Sequence, residues 1–331
     1  MTKKILITGG AGYIGSQTVL AALDQGYDVA IIDNLSTGRR ENIPPKVIFY
    51  EVDLVDKPKV EQVLKKFLPD TVIHFAGSIV VGESVENPIK YYRNNTYASL
   101  ALIEACVKHN VQRFIFSSTA AVYGSPDRGR VKEIFPTIPI NPYGHSKLMT
   151  EQILSDAAKS HGFRYAVLRY FNVAGADLNL RTGQSAPLAT HLIKVACQAV
   201  LGLRPSVEIY GTDYDTPDGT CIRDFIHVSD LANAHLDVLN YMTQKDASDI
   251  FNCGNGRGHS VKQILDAVQR VSGVDLNIKY GNRRAGDPPF LIADTSRLRD
   301  RTGWVAQHAN IDEIVSSALA WERKILEDGR L

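Results

Sequence analysis

The apolar run Lys3–Thr8 passes directly into Gly9-Gly10-Ala11-Gly12-Tyr13-Ile14-Gly15-Ser16, with glycines at 9, 12 and 15 in G-x-x-G-x-x-G spacing. A lone glycine pattern constrains little. This one closes a strand, opens a helix reaching about Gln25, and is followed by a second strand, Asp28–Ile32, that ends in Asp33. Without Cβ atoms, backbone amides can approach a pyrophosphate at the helix N-terminus, where the helix dipole favours negative charge. An acid closing the second strand is suited to a ribose 2′-hydroxyl. The stretch therefore predicts a dinucleotide site. A carboxylate at position 33 repels a 2′-phosphate and selects NAD over NADP. Arg39 and Arg40 follow too late in the loop to clamp such a phosphate and are read as surface or supporting residues.

The alternation continues. Val47–Tyr50, Thr71–Phe75, Arg113–Phe116 and Arg164–Arg169 read as strands, with helices at Lys59–Phe67, most of Glu86–His109, and Tyr143–His161. This order predicts an α/β, doubly wound parallel sheet of Rossmann type. His74, inside an apolar strand, is expected to be a core histidine. At 331 residues the chain is long for one core, so two lobes are expected. The chain leaves the sheet at Tyr170–Gly175, which puts a dinucleotide-binding domain at 1–172, rejoined by a segment near 223–252. Residues 173–331 are expected to form a smaller C-terminal α/β substrate domain. There, helices are predicted at Ala189–Leu201, from Ser229 to about Met242 with Ser229 and Asp230 suited to the cap, from Ser260, and at Ile311–Glu327 with Trp321 on the apolar side. Val207–Tyr210 and Ile250–Asn252 read as strands, and Arg283–Pro289 as a charged loop facing the cleft.

A second constellation carries the chemistry. Phe114–Phe116 is followed by Ser117-Ser118-Thr119, hydroxyls at the C-terminal end of a strand, where ligands of parallel sheets sit. Further on, Tyr143 and Lys147 are spaced i, i+4, on one helix face. Asn141-Pro142 suits the helix entry. A phenol is a poor base near neutral pH, and a fixed ammonium lowers its pKa. With Thr119 or Ser118 bonding the same oxygen, the set can take a proton from an alcohol. A Tyr-x-x-x-Lys alone would be a solvated helix face; the hydroxyl strand end and the glycine turn decide against that.

The net charge is +1, with no basic block, which argues against nucleic-acid or membrane-surface partners. Cys106, Cys197, Cys221 and Cys253 are scattered and lack metal-ligand spacing, so reduced thiols and no metal site are expected. The N-terminus enters a strand at once and no apolar run is long enough to span a bilayer, from which a cytoplasmic protein is expected.

These motifs resemble the extended short-chain dehydrogenase/reductase family. Thr8–Ser16, Asp33–Leu35, Val72–Gly77, Val81–Ser84, Phe116–Gly124 and Pro142–Lys147 match the wider family, while Arg223–Val228 and Arg283-Arg284-x-Gly286-Asp287 match its nucleotide-sugar members. The resemblance implies NAD held by Gly9, Gly12, Tyr13, Ile14 and Gly15 at the phosphates. It assigns Asp33, Asn34, Leu35, Ser36, Thr37 and Gly38 to the ribose loop, and Asp53 and Leu54 to the adenine. Phe75, Ala76, Gly77, Ile79, Asn94 and Phe171 complete that half with Thr119, Tyr143 and Lys147. For Asp53 the competing reading is a loop cap.

The implied substrate is a UDP-hexose, contacted by Ser118, Thr119, Tyr143, Asn172, His191 and Leu192. Glu208, Tyr210, Arg223, Phe225, Val261, Arg284, Asp287 and Leu291 are assigned to the same pocket. The implied reaction is epimerisation at C4 through a transient 4-keto sugar, with Tyr143 as base, Thr119 on O4, and Lys147 lowering the Tyr143 pKa and holding the cofactor ribose. Arg223 and Arg284 are read as diphosphate ligands in preference to surface ion pairs. Thr119 and His191 stand where relatives usually carry Ser and Asn, and Ile79 where some carry Lys. Leu291 replaces a pocket-narrowing Tyr, which leaves room for an N-acetyl group. A dehydratase would need an acid and a base after Thr119, and Ala120-Ala121 supply neither. A UDP-pentose or UDP-uronate 4-epimerase stays open. A non-catalytic NAD-binding regulator is disfavoured because Tyr143 and Lys147 are both present. Relatives pair helices equivalent to 86–109 and 143–161, implying a homodimer.

Overall fold

The computed structural model describes residues 3–126, 129–186, 190–284 and 287–330. The first half runs β1 (Lys4–Thr8), α1 (Tyr13–Asp24), β2 (Asp28–Asp33), β3 (Ile48–Glu51), α2 (Lys57–Phe67) and β4 (Thr71–His74). It continues with α3 (Val81–Glu86), α4 (Pro88–Tyr91), a wider π-type turn at Tyr92–Tyr97, α5 (Ala98–Lys108), β5 (Arg113–Thr119), β6 (Arg130–Val131), α6 (Pro142–His161) and β7 (Arg164–Tyr170). The second half runs β8 (Asn172–Ala174), α7 (Leu192–Val200), β9 (Val207–Tyr210), β10 (Ile222–His227), α8 (Val228–Lys245) and β11 (Asp249–Cys253). β12 (Gly258–Ser260), α9 (Val261–Ser272), β13 (Ile278–Gly281), β14 (Phe290–Ala293), α10 (Ser296–Thr302) and α11 (Ile311–Glu327) close it.

Strands this apolar need cover on both faces, and parallel pairing with crossover helices supplies it. The seven-stranded sheet has the order β11-β7-β5-β4-β1-β2-β3, with every pairing parallel. Alternate residues of β1 enter different cores. Ile5 and Ile7 pack with Val19, Leu231 and Leu239 of α1 and α8; Leu6 packs with Val60, Leu64 and Leu102 of α2 and α5. The chain builds outward from β1 in one direction and from β4 in the other. Their C-terminal ends therefore flank the crevice where such sheets bind ligands.

A second, five-stranded sheet joins β12, β10, β14 and β6 with β8 on β10, and β9 pairs with β13 in a parallel ribbon. Its core gathers Ile193, Ile209, Phe225, Ile264 and Leu319. Within 223–252, β10 belongs to this smaller sheet, whereas α8 packs on α1 and β11 joins the large sheet. Helix α1 also bonds to the loop after β8. Tyr13 Oη donates to the Gly175 carbonyl at 2.6 Å, Ser16 Oγ lies 2.6 Å from Thr182 Oγ1, and Gln17 Nε2 donates to Asp177 at 3.3 Å.

Two local expectations are corrected. The cap of α8 is His227, whose Nδ1 accepts the Ser229 N–H at 3.1 Å, in place of Ser229 or Asp230. The helix predicted from Ala189 is described from Leu192; Ala189 lies outside the described residues, as does Gly286. Ser260 does cap α9, in a reciprocal pair with Gln263. Trp321 is buried on α11, and all four cysteines are buried and free. Among the described residues no helix is long and apolar enough to cross a membrane.

Candidate active site

β5 continues past its apolar stretch, so Ser117, Ser118 and Thr119 are strand residues between β4 and β7 at the edge of the crevice. Helix α6 is fixed at its entry by Asn141, whose Oδ1 accepts the Gly144 N–H at 2.8 Å, with Pro142 as first helical residue. This puts Tyr143 in the first turn and Lys147 one turn on. The Thr119 hydroxyl, which accepts the Ala121 N–H at 3.1 Å, stands beside the Tyr143 phenol. Lys147 is buried and donates from Nζ to the Ser117 carbonyl at 2.9 Å. A Cβ on Gly77 would meet that Nζ at 3.5 Å, so the loop after β4 lies against it.

In the chain by itself, burial pushes the Tyr143 phenol above its usual value, and the Thr119 hydroxyl opposes this. Lys147 pays for its position too: burial brings its ammonium down to about 8, with the Glu151 carboxylate acting the other way. Ser118 is also reassigned. It turns away from Thr119 across the strand, and its Oγ donates to Glu151 at 2.5 Å. His74 is the core histidine expected, between Thr8 Oγ1 at 2.6 Å and Ser99 Oγ at 2.8 Å; burial first, then the Lys147 charge, push it down to about 3.

The glycine turn is a cradle with no space for side chains. Gly9 has φ +71°, and a Cβ there would stand 2.6 Å from the Ala76 nitrogen; one on Gly15 would stand 2.1 Å from the Gly9 carbonyl oxygen. Asp33, buried at the end of β2, accepts the Ala11 N–H at 3.0 Å and the Leu35 N–H at 2.8 Å. Burial raises its carboxyl while those amides oppose the shift. A backbone-only turn at a helix N-terminus beside a fixed carboxylate fits a dinucleotide. Asp53 caps its loop by accepting the Val55 N–H at 3.0 Å, and its other oxygen takes the Asn34 amide at 2.9 Å, facing the Asp33 loop. Arg40 pairs with Glu51 on the surface.

A family model described as the NAD dependent epimerase/dehydratase family matches residues 5–254. The chain belongs to this family. The UDP-glucose 4-epimerase of Azospirillum brasilense is 54% identical over 97% of this chain and 92% of its own length. The crystal structure of UDP-glucose 4-epimerase from Brucella ovis in complex with NAD superposes with a TM-score of 0.93 at 41% identity, covering 97% of this chain and 98% of that one. The UDP-Glc/GlcNAc 4-epimerase of Campylobacter jejuni superposes with a TM-score of 0.86 at 47% identity, over 97% and 99%.

In this epimerase/dehydratase family member the residues expected at the nucleotide sugar lie on and around the smaller sheet and the β9–β13 ribbon. Arg223 does pair with Asp287, at 3.3 Å, yet its side chain is only 12% exposed and also donates to the Pro288 carbonyl at 2.7 Å. Its guanidinium is thus mostly buried against the 287–288 loop, unlike an exposed surface pair. The Arg284 guanidinium lies 3.8 Å from the Tyr210 ring centroid. Tyr210 and Glu208 alternate with buried Val207 and Ile209, so both sit on the outward face of the ribbon. Leu291 stands in register with Arg223 and packs toward Phe171 and Tyr123. Asn172 is in register with Phe225, but Phe225 points into the small-lobe core. His191 stands at the N-cap position of α7 without a cap bond from its side chain, and burial, then Lys194, lowers its pKa. Val261 opens α9, and Ile79 is exposed.

Asn95 was missed by the sequence reading. Its Oδ1 accepts the Ser78 N–H at 2.7 Å and its amide donates to Ser146 Oγ at 3.0 Å, tying the loop after β4 to α6 between Tyr143 and Lys147. Asn94, its neighbour, only reaches Ser78 Oγ, at 3.1 Å. The doublet was visible in sequence; which member faces inward depends on the wide turn at Tyr92–Tyr97.

Proposed function

We propose that the chain epimerises C4 of a UDP-hexose, interconverting UDP-glucose and UDP-galactose with NAD as cofactor. The observation that carries this is Tyr143 beside Thr119 with Lys147 one turn away, its Nζ on the Ser117 carbonyl, at the crevice that the glycine cradle borders. NAD, when bound, supplies the hydride acceptor and then the donor. Thr119 holds the sugar O4. Tyr143, as phenolate, takes the 4-hydroxyl proton as the C4 hydrogen departs, and returns it once the keto sugar has turned its other face. Lys147 stabilises the phenolate from one turn away. Arg223 and Arg284 hold the diphosphate, the link about which the sugar turns. Residues 1–172 with α8 and β11 serve the cofactor, and the rest serves the nucleotide sugar.

Leu291 in place of a larger aromatic supports acceptance of N-acetylated sugars, and the likeness to the Campylobacter jejuni UDP-Glc/GlcNAc enzyme favours it. The four buried free thiols fit a cytoplasmic location. The test is to incubate purified protein, without added NAD, with UDP-glucose, UDP-galactose and UDP-N-acetylglucosamine, and to separate the products. UDP-galactose should be converted, denatured protein should release NAD, and Tyr143→Phe should lose about 10²–10⁴-fold in kcat. No turnover of any UDP-sugar, or full activity in Y143F, would sink the reading. Turnover confined to the unacetylated pair would remove the N-acetyl extension alone.

A further inference from the structure

Three consecutive residues of β5 each face a different side chain from α6, and two of them are bonded to it. Lys147 Nζ takes the Ser117 carbonyl at 2.9 Å, Glu151 takes the Ser118 hydroxyl at 2.5 Å, and Tyr143 stands beside Thr119. Positions 143, 147 and 151 stand one turn apart and form a row along the helix. Glu151 is buried, and so is its partner Arg169 on β7. Arg169 Nη2 donates to Glu151 Oε2 at 2.6 Å, and its Nε reaches both carboxylate oxygens at 3.1 and 3.2 Å. Arg169 Nη1 also donates to Tyr123 Oη at 2.9 Å, and Tyr123 donates to Asn252 Oδ1 at 2.7 Å, which ties the pair to β11.

We propose that Glu151 is a positioning residue for the reaction: held by Arg169, its carboxylate fixes the hydroxyl end of β5 against α6 and sets a negative charge one helical turn from Lys147. A buried ion pair is a poor choice if packing is its only task, because apolar residues of equal volume often stabilise as well or better. The neighbour in the row gives the carboxylate a further role. Lys147 is buried, burial lowers its pKa, and Glu151 is the group that opposes the loss of charge. The other groups around this point do not. His74 from β4 is neutral, Arg169 from β7 is itself a cation, and the phenols of Tyr143 on α6 and Tyr170 on β7 are pushed up by burial. Of these groups Glu151 alone is negative.

The proposal rests on the epimerase reading. Glu151→Gln keeps the side-chain shape and an acceptor for Ser118 but removes the charge. The sign follows from the charge. Without the carboxylate, Lys147 loses its proton at lower pH, so the alkaline limb of kcat against pH should move down by about one unit. Glu151→Asp keeps the charge and should restore most of the limb. If E151Q cannot fold with Arg169 left unpaired, E151Q/R169M removes both charges, and a smaller move in the same downward direction is expected, because the opposing Arg169 cation is lost as well. An unmoved limb in the folded, NAD-loaded variant overturns the proposal, as does E151D shifting as far as E151Q. Absence of UDP-galactose turnover in the wild-type protein would instead refute the epimerase reading.

Discussion

Thr119 places its hydroxyl beside the Tyr143 phenol, where it pulls the pKa down against the push of burial. A hydroxyl donating to a phenolate stabilises the charged form and lowers the pKa. Thr119→Val keeps the branched shape and removes that donor. Its Tyr143 should therefore ionise at higher pH still, and the acid limb of kcat should rise in pH, with kcat lowered at neutral pH. Thr119→Ser keeps the hydroxyl and should keep the wild-type limb. Equal profiles for T119V and T119S would mean that the bond does not reach the chemistry. The i, i+4 spacing of Tyr143 and Lys147 was legible because it is local. The partial burial of the phenol was not. It depends on residues far apart in sequence, such as Tyr91, whose ring stands edge-on to Tyr143 with centroids 6.3 Å apart. Ser118 was misread for the same reason: its partner Glu151 is held by Arg169 on another strand.

Helix α6 carries Tyr143 in its first turn, so the cap matters for chemistry as well as for stability. Asn141→Ala removes the acceptor of the Gly144 N–H and should cost about 1 kcal/mol, measured by urea unfolding. A frayed first turn also loosens Tyr143, so kcat should fall while KM changes little; Asn141→Ser should recover both. Unchanged kcat alongside the expected loss of stability would separate the cap from the catalytic geometry. Elements of this kind were readable where the pattern is long and periodic, as in β1, α1 and α11. Those missed have weaker local signals. A histidine cap such as His227 lacks the usual Ser, Thr, Asp or Asn signature. The five-stranded sheet draws on strands as short as the two residues of β6, scattered from 130 to 293. Its pairings are set by tertiary packing, which no window of sequence contains.

At the scale of the whole molecule, the site lies within one chain, and the outer surface of α3 to α6 suggests what lies beyond it. Ile89 is 74% exposed, Leu100 44% and Met149 41%, with Val85 and Tyr97 also open to solvent. Apolar side chains grouped on adjacent helices favour association, and a two-fold pairing buries each of them twice. We therefore expect a homodimer through this face. Leu100→Asp together with Met149→Asp would place four carboxylates in the paired interface, each with a desolvation cost of several kcal/mol and no partner. Neither residue belongs to the catalytic or cofactor set, and both are exposed in the single chain, so the fold should survive. Sedimentation equilibrium at micromolar concentration should then give a dimer for the wild-type protein and a monomer for L100D/M149D. The monomer should retain most of its activity per chain, because Tyr143, Thr119, Lys147 and the glycine cradle come from one polypeptide. A variant that still sediments as a dimer would move the interface elsewhere. A monomer without activity would mean that pairing steadies α6, and with it the first turn that holds the phenol.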